Sequence, residues 1–476
     1  MKTTVAIVGA GPGGYVAAVR AAQLGGRVVL AEKDAVGGTC LNRGCIPSKV
    51  MQTAAHLLLD RQRGERFGLS ATGPAGVDLA RLMEHKDRVV ADQARGIEHL
   101  LQRHEVDLIN GKAEITGQGE LTVGSGSGED RTVAWDRLIL AAGSRPAPLP
   151  GTPFDGSRIL SSDDVFGLDR VPGSLLIVGA GAVGCEFACI FSALGARVTL
   201  VEALDRLLPQ PSVDPDCART LAREMKKMKI EVLVGHTIAS AEPVEEGVRA
   251  AIAPLTGNRA GRDPDGSRTG TYDRMLVCIG RRPDLSGLGV ERIGLEPDEN
   301  GWLQTDERME TGCSGVFAIG DALGPSKVML AHVASAEGAV AAENAVGGAS
   351  VMSYRAVPNA VYSIPEVAGV GLTEAQAEEQ GLAARAASVL YRAVGKAHAL
   401  GETAGQAKII WDERSGRVLG LHIVGARATD LIAEGTLALQ TGSRIGDLAG
   451  TIHAHPTLSE VIVETALKAD GRPRHG

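Results

Sequence analysis

Two copies of one local pattern constrain the fold of this 476-residue chain more than any other feature of its sequence. Each copy is a short apolar run, a glycine-rich turn, a helical stretch and a second apolar run that ends in a glutamate. The first copy covers residues 4–32 and the second covers residues 174–202. A strand–turn–helix–strand unit of this kind predicts a parallel sheet with a dinucleotide bound beside the glycine turn. The chain is therefore predicted to be α/β, with two Rossmann-like dinucleotide-binding domains.

The residues of each turn have separate tasks. The first glycine permits a tight turn, the second lets a pyrophosphate approach the backbone, and the third lets helix and strand pack closely. These glycines are Gly9, Gly11 and Gly14 in the first copy, and Gly179, Gly181 and Gly184 in the second. Glu32 and Glu202 stand where a carboxylate holds ribose hydroxyls. Because an acid repels a 2′-phosphate, Glu202 favours NAD over NADP, although the nearby Arg206 leaves NADP open.

Two cysteines follow the first copy directly. Cys40 and Cys45 are five residues apart, and on an ideal helix their Cα atoms would be about 8.6 Å apart, beyond the usual disulfide range of about 4.4–6.8 Å. A bridge between them therefore requires a distorted turn, for which Gly44 supplies the freedom. Since a strained bridge is easily reduced, we predict a redox-active pair, with two free core thiols as the alternative.

The position of the thiols also predicts the first cofactor. A nicotinamide carries hydride, whereas a thiol pair exchanges two electrons through thiolates. An isoalloxazine ring can accept from one and deliver to the other. The first dinucleotide is therefore predicted to be FAD and the second to be NAD.

Composition excludes several classes of function. A formal net charge of −8 argues against a nucleic-acid-binding surface or a basic arm that binds membranes. Seven cysteines are scattered over the chain, unlike the dense, even set of a secreted disulfide scaffold. The apolar segments 1–31 and 174–201 are explained by nucleotide-binding strands rather than by an export signal or a membrane span. We expect a soluble cytoplasmic protein with no nucleic-acid or membrane partner and no resident metal.

Further sequence blocks extend the pattern over essentially the whole chain. They are Leu-Ile-Leu-Ala-Ala-Gly-Ser-Arg-Pro at 138–146, Ile-Gly-Arg-Arg-Pro at 279–283, Val-Phe-Ala-Ile-Gly-Asp at 316–321, and His-Ala-His-Pro-Thr-Leu-Ser-Glu at 453–460. With these blocks the chain resembles the FAD-dependent pyridine nucleotide–disulfide oxidoreductases, in particular the members that act on dihydrolipoamide. The resemblance implies oxidation of dihydrolipoamide, or of a lipoyl-bearing protein, by NAD through FAD and a Cys40–Cys45 disulfide. It also implies a homodimer.

The resemblance assigns a role to the last block. The histidine equivalent to His455 would act as acid–base from the opposite subunit, and Glu460 would orient its ring. Imidazole titrates near neutral pH and a carboxylate fixes its tautomer, so the residue types suit this task. His453 is the competing candidate. The alternative without a catalytic role is a capping or surface histidine.

The resemblance also implies cofactor contacts elsewhere. Lys49 and Glu186 would form an ion pair beside the flavin, although each could be an ordinary solvated charge. Asp321 would bind the ribityl chain of FAD, with a helix cap as its alternative. Further contacts are implied for Thr39, Gly143 and Gly280. Ala142 stands where relatives commonly carry threonine, which removes a hydroxyl near the crossover between the two nucleotide domains.

Proline and glycine clusters suggest the domain limits. We expect an FAD-binding domain at 1–148, an NAD-binding domain at 149–274, a central segment at 275–347 that completes the FAD domain, and an interface domain at 348–476. The last domain alternates strands with helical stretches, and is predicted to be a mixed α/β dimerisation domain. The segment 256–272, rich in Gly, Arg, Asp and Ser, is predicted to be an exposed loop.

Three other functions remain open from the sequence. Another flavin disulfide reductase, acting on a low-molecular-weight thiol, would share every feature up to Cys45. A flavin-dependent NADH:quinone or acceptor reductase, or a non-catalytic docking subunit, would leave the thiols incidental. No cysteine follows Cys313, which argues against a reductase that hands over a metal through C-terminal thiols.

Overall fold

The computed structural model describes residues 2–70, 76–124, 129–255 and 267–475. The chain forms two compact units. The first unit consists of residues 1–50, 80–147 and 280–353, and the second consists of residues 51–79, 148–279 and 354–476. Each unit contains one copy of the repeated nucleotide-binding pattern.

The helices of the described residues are α1 (Pro12–Gln23), α2 (Gly38–Arg43), α3 (Cys45–Arg63), α4 (Leu79–Arg103), α5 (Ala182–Ala193), α6 (Pro215–Lys227), α7 (Ala331–Ala345), α8 (Glu374–Glu379), α9 (Gly395–Leu400), α10 (Ala428–Thr441), α11 (Ile445–Gly450) and α12 (Glu460–Ala469). Short 3₁₀ turns occur at Gly64–Phe67, Asp164–Gly167, Val290–Ile293, Gly320–Ser326 and Tyr391–Ala393. None of the described helices is long and apolar enough to cross a membrane.

The strands are β1 (Thr4–Val8), β2 (Arg27–Glu32), β3 (Asp107–Asn110), β4 (Lys112–Gly117), β5 (Glu120–Gly124), β6 (Arg131–Ala134), β7 (Arg137–Leu140), β8 (Ser144–Pro146), β9 (Ile159–Leu160), β10 (Ser174–Val178), β11 (Arg197–Glu202), β12 (Glu231–Val234), β13 (His236–Val244), β14 (Gly247–Pro254), β15 (Arg268–Tyr272), β16 (Arg274–Val277), β17 (Arg281–Pro283), β18 (Val316–Ala318), β19 (Asn359–Val361), β20 (Glu366–Gly371), β21 (Ala384–Leu390), β22 (Gln406–Asp412) and β23 (Val418–Gly425).

The first unit is built on a parallel five-stranded sheet in the order β18-β7-β1-β2-β3. Its central strands are buried almost throughout, as a parallel sheet covered on both faces requires. Helices α1 and α7 pack against each other at Gly13 and Gly338. A Cβ atom on Gly338 would lie 2.4 Å from the carbonyl oxygen of Gly13, so this close crossing excludes any side chain there. The unit also contains the antiparallel sheet β4-β5-β6 and the pair β8-β17.

The second unit repeats this design. Its parallel sheet has the order β12-β11-β10-β16-β9, and β10 pairs with β11 as β1 pairs with β2. A three-stranded antiparallel sheet, β13-β14-β15, lies beside it in the chain. The two parallel sheets confirm the predicted pair of Rossmann-like folds.

The prediction of an exposed loop at 256–272 is wrong for residues 268–272. Residues Arg268–Tyr272 form strand β15, which pairs antiparallel with β14 from Val248 opposite Tyr272 to Ile252 opposite Arg268. Residues 256–266 lie outside the described part of the chain. The strand forms because β14 offers a free edge and because threonine and tyrosine suit a pleated sheet. The surrounding Gly, Arg, Asp and Ser residues obscured this signal.

The C-terminal part of the second unit is a five-stranded antiparallel sheet in the order β19-β20-β23-β22-β21. Helix α10 packs on β20 and β23, and α12 packs on β21 and β22. Buried aliphatic side chains from these strands and helices form one continuous core. The prediction of a mixed α/β fold for this region is confirmed.

Candidate active site

The two glycine-rich turns have the same geometry. Gly9 and Gly179 both have φ = +98°, a backbone conformation that favours glycine. A Cβ atom on Gly14 would lie 1.8 Å from the carbonyl oxygen of Gly9, and one on Gly184 would lie 1.9 Å from that of Gly179. Each turn is therefore tight, and each helix packs against its strand too closely for any other residue.

The acidic residue at the end of each second strand is fixed beside its turn. Glu32 is buried, and its Oε2 accepts a hydrogen bond from Ala10 N at 2.6 Å while its Oε1 accepts one from Asp34 N at 2.9 Å. Glu202 accepts the equivalent pair of bonds, at 2.6 and 2.9 Å. Each carboxylate oxygen keeps a further lone pair. Both acids are therefore held in place with acceptor capacity for the hydroxyls of a ribose.

Arg206, the residue that left NADP open, is engaged by its own loop. Its Nη1 donates to Val213 O and its Nη2 donates to Gln210 O, both at 3.2 Å. The guanidinium therefore serves to hold backbone carbonyls. This use of Arg206 was not visible in the sequence, because its partners are main-chain atoms.

The predicted distortion between the two cysteines is present. Helix α2 ends at Arg43 and α3 begins at Cys45, while Gly44 between them has φ −146° and ψ −109°. A Cβ atom on Gly44 would lie 2.9 Å from Thr39 O, so the break is tightly packed as well as irregular. The helix could not continue through this residue, and the prediction of a turn at Gly44 is confirmed.

The two thiols occupy different environments and interact. Cys45 is exposed at the first position of α3, whereas Cys40 is half-buried, and both are in the reduced thiol form. A side-chain hydrogen bond to Cys45 raises the pKa of Cys40, burial raises this pKa further, and the positive charge of Lys49 opposes the rise. Helix N-termini favour thiolates. The negative charge of the pair is therefore better placed on Cys45 than on Cys40.

Lys49 and Glu186 lie in different units. Lys49 is one turn after Cys45 on α3, and its Nζ is 3.4 Å from Ser48 Oγ. Glu186 is buried in α5, where its Oε1 accepts a hydrogen bond from Tyr362 N at 2.9 Å. The backbone of Tyr362 is thus one partner that this buried acid required. The ion pair between Lys49 and Glu186 stays a prediction.

Asp321 belongs to a polar network that the sequence blocks did not reveal. Its Oδ2 accepts a hydrogen bond from Ser144 Oγ at 2.6 Å, and Arg281 Nε lies 3.5 Å from the same oxygen. Arg281 also donates to Ser144 Oγ at 2.5 Å and to Ser144 O at 2.7 Å. The N-cap of the 3₁₀ turn is Ile319, so Asp321 is not its cap. Gly143 and Gly280, with φ of +74° and +128°, precede the two strands that carry Ser144 and Arg281.

The last sequence block places an imidazole beside a carboxylate. His455 Nδ1 lies 2.9 Å from Glu460 Oε1, and Glu460 Oε2 accepts a hydrogen bond from Thr457 N at 2.9 Å. Burial by itself would raise the pKa of Glu460, but the bonds from His455 and Thr457 outweigh it and lower this pKa. The His455 side chain is 76% exposed in the single chain. The ring is therefore oriented by an ionised carboxylate and open to a reactant.

His453, the competing candidate, is used differently. Its side chain is only 7% exposed, and its Nε2 lies 3.0 Å from Glu434 Oε1. Its Nδ1 lies 3.1 Å from Thr451 O. Both ring nitrogens face acceptors, which favours the doubly protonated ring, and the hydrogen bond to Glu434 is the main cause of a raised pKa for His453. Glu434 comes from α10, and the sequence carried no signal for this partner.

The His453–Glu434 pair makes a pH-dependent contribution to stability. The pKa of His453 is higher in the folded state than the value of about 6.5 in an unfolded chain. The stabilisation is therefore fully present below pH ~6.5 and is lost as the pH rises through the folded-state pKa. We expect Glu434→Gln to lower the melting temperature by about 2 °C at pH 6 and by less at pH 9.

Differential scanning calorimetry at both pH values measures this effect. Glu413→Gln is the matched control, because Glu413 pairs with Arg385, which keeps its charge over this range. An equal loss for Glu434→Gln at pH 6 and pH 9 would contradict the prediction.

A cluster of three carboxylates in the second unit resembles a metal site but already holds a lysine ammonium group. Oxygen atoms of Asp214, Asp216 and Glu374 lie within 4.8 Å of one another. Lys408 Nζ lies among them, 3.1 Å from Asp214 Oδ2 and 2.9 Å from Asp216 Oδ2, and also bonds to Glu374. Burial alone would lower the pKa of Lys408, but these bonds raise it. The ammonium group therefore takes the place that a cation would need.

A chain that contains two dinucleotide folds and an interacting thiol pair has the elements of a nucleotide-dependent disulfide oxidoreductase. Comparison with known families agrees with this class. The model of the pyridine nucleotide-disulphide oxidoreductase family matches residues 3–338, and the model of its dimerisation domain matches residues 357–466. The chain belongs to the pyridine nucleotide-disulphide oxidoreductase family. The family resemblance and the fold class expected from the sequence blocks are confirmed.

Similar proteins match over nearly their full length. Dihydrolipoyl dehydrogenase 2 of Haloarcula marismortui is 41% identical over 99% of this chain and 98% of its own length. Dihydrolipoyl dehydrogenase of Geobacillus stearothermophilus is 38% identical over 100% of this chain and 98% of its own. The crystal structure of LpdA from Mycobacterium tuberculosis has a TM-score of 0.89 at 28% identity, covering 98% of this chain and 99% of that one. The HOCl-induced flavoprotein disulfide reductase RclA from Escherichia coli has a TM-score of 0.83 at 25% identity, covering 97% and 99%.

Proposed function

We propose that this chain is a dihydrolipoyl dehydrogenase, which oxidises dihydrolipoamide, free or carried by a lipoyl-bearing protein, and reduces NAD. The observation that carries the proposal is the exposed His455 held by Glu460 in a chain that also presents the Cys40–Cys45 pair. A dithiol substrate must lose protons before it can attack a disulfide, and this imidazole is oriented to accept them. The full-length relatives named dihydrolipoyl dehydrogenase support the same substrate.

The residues present fit the two cofactors. The first turn has room for a pyrophosphate, because the nearest atom to a Cβ built on Gly11 is 3.9 Å away, and both acids keep acceptor capacity for ribose. The flavin held by these residues would supply the exchange of two electrons between a dithiol and a nicotinamide. We assign FAD to Gly9, Gly11, Gly14, Glu32, Thr39, Lys49, Gly143 and Asp321, and NAD to Gly179, Gly181, Gly184, Glu202 and Gly280.

The chain's own residues carry out the thiol chemistry. In the oxidised protein Cys40 and Cys45 form a disulfide. His455 takes the proton of one substrate thiol, and the resulting thiolate attacks Cys40 Sγ, so that a mixed disulfide forms and Cys45 leaves as a thiolate. The second substrate thiol then displaces Cys40 Sγ and gives its proton to Cys40, so that Cys40 leaves as a thiol and lipoamide is released as a cyclic disulfide. Two electrons have moved from the substrate to the cysteine pair, and Cys45 is stabilised as a thiolate at the start of α3.

The proposal includes the quaternary and domain arrangement. The dimerisation-domain match supports a homodimer, in which His455 of one chain serves the cysteines of the other. We retain the domain limits 1–148, 149–274, 275–347 and 348–476 as part of this proposal. The ion pair between Lys49 and Glu186 beside the flavin also belongs to it.

Anaerobic titration of the purified protein with NADH and with dihydrolipoamide tests the proposed function. Both reductants should produce the long-wavelength absorbance of a thiolate next to oxidised flavin, and dihydrolipoamide should reduce NAD catalytically. The RclA neighbour shows that other disulfide reductases share this fold. Reduction by NADH without any response to dihydrolipoamide would assign the thiols to another substrate, or to none.

The charge of Glu202 should determine the choice between NAD and NADP. Glu202→Gln keeps a hydrogen-bonding side chain but removes the repulsion of a 2′-phosphate. We expect the ratio of kcat/KM for NAD over NADP to fall by about tenfold, which corresponds to ~1.4 kcal/mol. Glu32→Gln is the matched control, because it changes the equivalent acid of the first unit and should reduce FAD retention without changing this ratio. An unchanged ratio in Glu202→Gln would contradict the assignment.

A further inference from the structure

The loop after β11 lies against the second glycine turn. Leu208 is fully buried, and its backbone N–H donates to Ala180 O at 2.9 Å. Arg206 holds the same loop through its bonds to Val213 O and Gln210 O, each 3.2 Å long. The loop backbone is therefore tied both to the turn and to itself.

This arrangement brings the carboxamide of Gln210 against Gly181. Gln210 Nε2 lies 2.9 Å from the position that a Cβ atom on Gly181 would take, so the amide fills the space left by the missing side chain. At the matching glycine of the first unit, Gly11, the nearest atom in the described chain is Gly38 Cα, 3.9 Å from the Cβ position. The second glycine of such a turn is where pyrophosphate approaches the backbone. One site is thus open at this point and the other is filled.

One polar atom of the Gln210 side chain is unsatisfied in this position. Its Oε1 is buried and accepts no hydrogen bond from any residue that the structure describes. A buried oxygen without a donor costs free energy, so little is lost when the side chain leaves. Because Arg206 fixes the backbone oxygen of Gln210, rotation of the side chain is the movement that opens the space.

We propose that the Gln210 carboxamide closes the pyrophosphate position of the second dinucleotide site and rotates aside when the nicotinamide dinucleotide binds. The inference rests on the proposed function, which assigns NAD to this site. The measured association constant for the dinucleotide then equals that of the open state multiplied by the fraction of molecules in which the position is open. Gln210 accordingly controls the access of the pyrophosphate to the second site and takes no part in the thiol chemistry.

Calorimetric titration of the FAD-containing protein tests this role. Gln210→Ala should bind ADP-ribose, which carries the pyrophosphate, about fivefold more tightly than the wild type, as expected if about a fifth of wild-type molecules are open. Adenosine, which has no phosphate, should bind both proteins equally. Gln210→Asn keeps the amide on a shorter side chain and should give a smaller gain. Gln102→Ala changes an exposed glutamine on α4 and should behave as the wild type with both ligands.

The possible outcomes distinguish a failure of the proposed Gln210 role from a failure of the NAD assignment. Unchanged or weaker ADP-ribose binding in Gln210→Ala, or equal gains for ADP-ribose and adenosine, would overturn the role of Gln210 while leaving the NAD site in place. If the wild-type protein binds no ADP-ribose, the assignment of NAD to the second site fails, and the role of Gln210 fails with it. FAD content and melting temperature, measured on every variant, exclude misfolding as the cause of a lost signal.

Discussion

Cys45→Ser is expected to abolish the oxidation of dihydrolipoamide by NAD while leaving FAD bound. Cys45 is exposed at the first position of α3, where a thiolate is stabilised, whereas its hydrogen-bonded neighbour Cys40 has a raised pKa. A serine hydroxyl cannot form the disulfide that accepts the two electrons. We expect kcat to fall by at least about a thousandfold, the scale on which loss of an essential nucleophile acts. Steady-state NADH formation and the flavin absorbance spectrum measure the two parts of this result.

Two variants make this result specific. Cys40→Ser should abolish the same reaction, because the attack of the substrate thiolate requires Cys40 Sγ. Cys313→Ser is the matched control, since the Cys313 thiol donates only to Ile293 O at 3.2 Å and lies outside the proposed chemistry; it should retain turnover. NADH oxidation by a quinone should survive in all three variants. Retained dihydrolipoamide turnover in Cys45→Ser would disprove the disulfide mechanism and favour an acceptor reductase.

His455→Gln is expected to lower kcat/KM for dihydrolipoamide by about 10²- to 10³-fold, the usual contribution of a general base. The exposed imidazole is the group in the last sequence block that a substrate thiol can reach, since the His453 ring is buried against Glu434. Stopped-flow reduction of the protein by dihydrolipoamide measures this loss.

The neighbouring residues distinguish a catalytic from a structural role. Glu460→Gln keeps an acceptor for the His455 ring but removes the carboxylate charge beside it, so it should lose less activity than His455→Gln. His453→Gln should lower the melting temperature and leave the rate within a few-fold of the wild type. A large rate loss in His453→Gln combined with a normal rate in His455→Gln would reverse the assignment.

Much of the local structure was predictable because its causes are local. Tight turns at Gly9 and Gly179 follow from glycine spacing, and the flanking strands follow from short, β-branched apolar runs. The break at Gly44 follows from helix geometry alone, because two thiols five residues apart cannot approach on a regular helix. Strand β15 was missed because its pairing depends on the edge of β14, which no window of residues 268–272 contains.

The partners of the functional side chains were not predictable in the same way. Asp321 meets Ser144 and Arg281, which are distant in the chain, and only the pairing of β8 with β17 brings the last two together. The same is true of Lys408, whose hydrogen bonds to Asp214 and Asp216 span more than 190 residues. Such contacts depend on how sheets and helices are placed, and a sequence pattern does not contain that placement.

By itself, the sequence determined the class of this protein: two dinucleotide-binding units, a closely spaced thiol pair after the first and a histidine–glutamate block near the end. Each of these rests on spacing within a few tens of residues, which backbone geometry converts directly into structure. The tertiary structure alone decided which histidine is exposed, what Arg206 holds and where the Gln210 carboxamide lies. Those outcomes depend on burial and on hydrogen-bond partners from other elements, which exist only after the chain has packed.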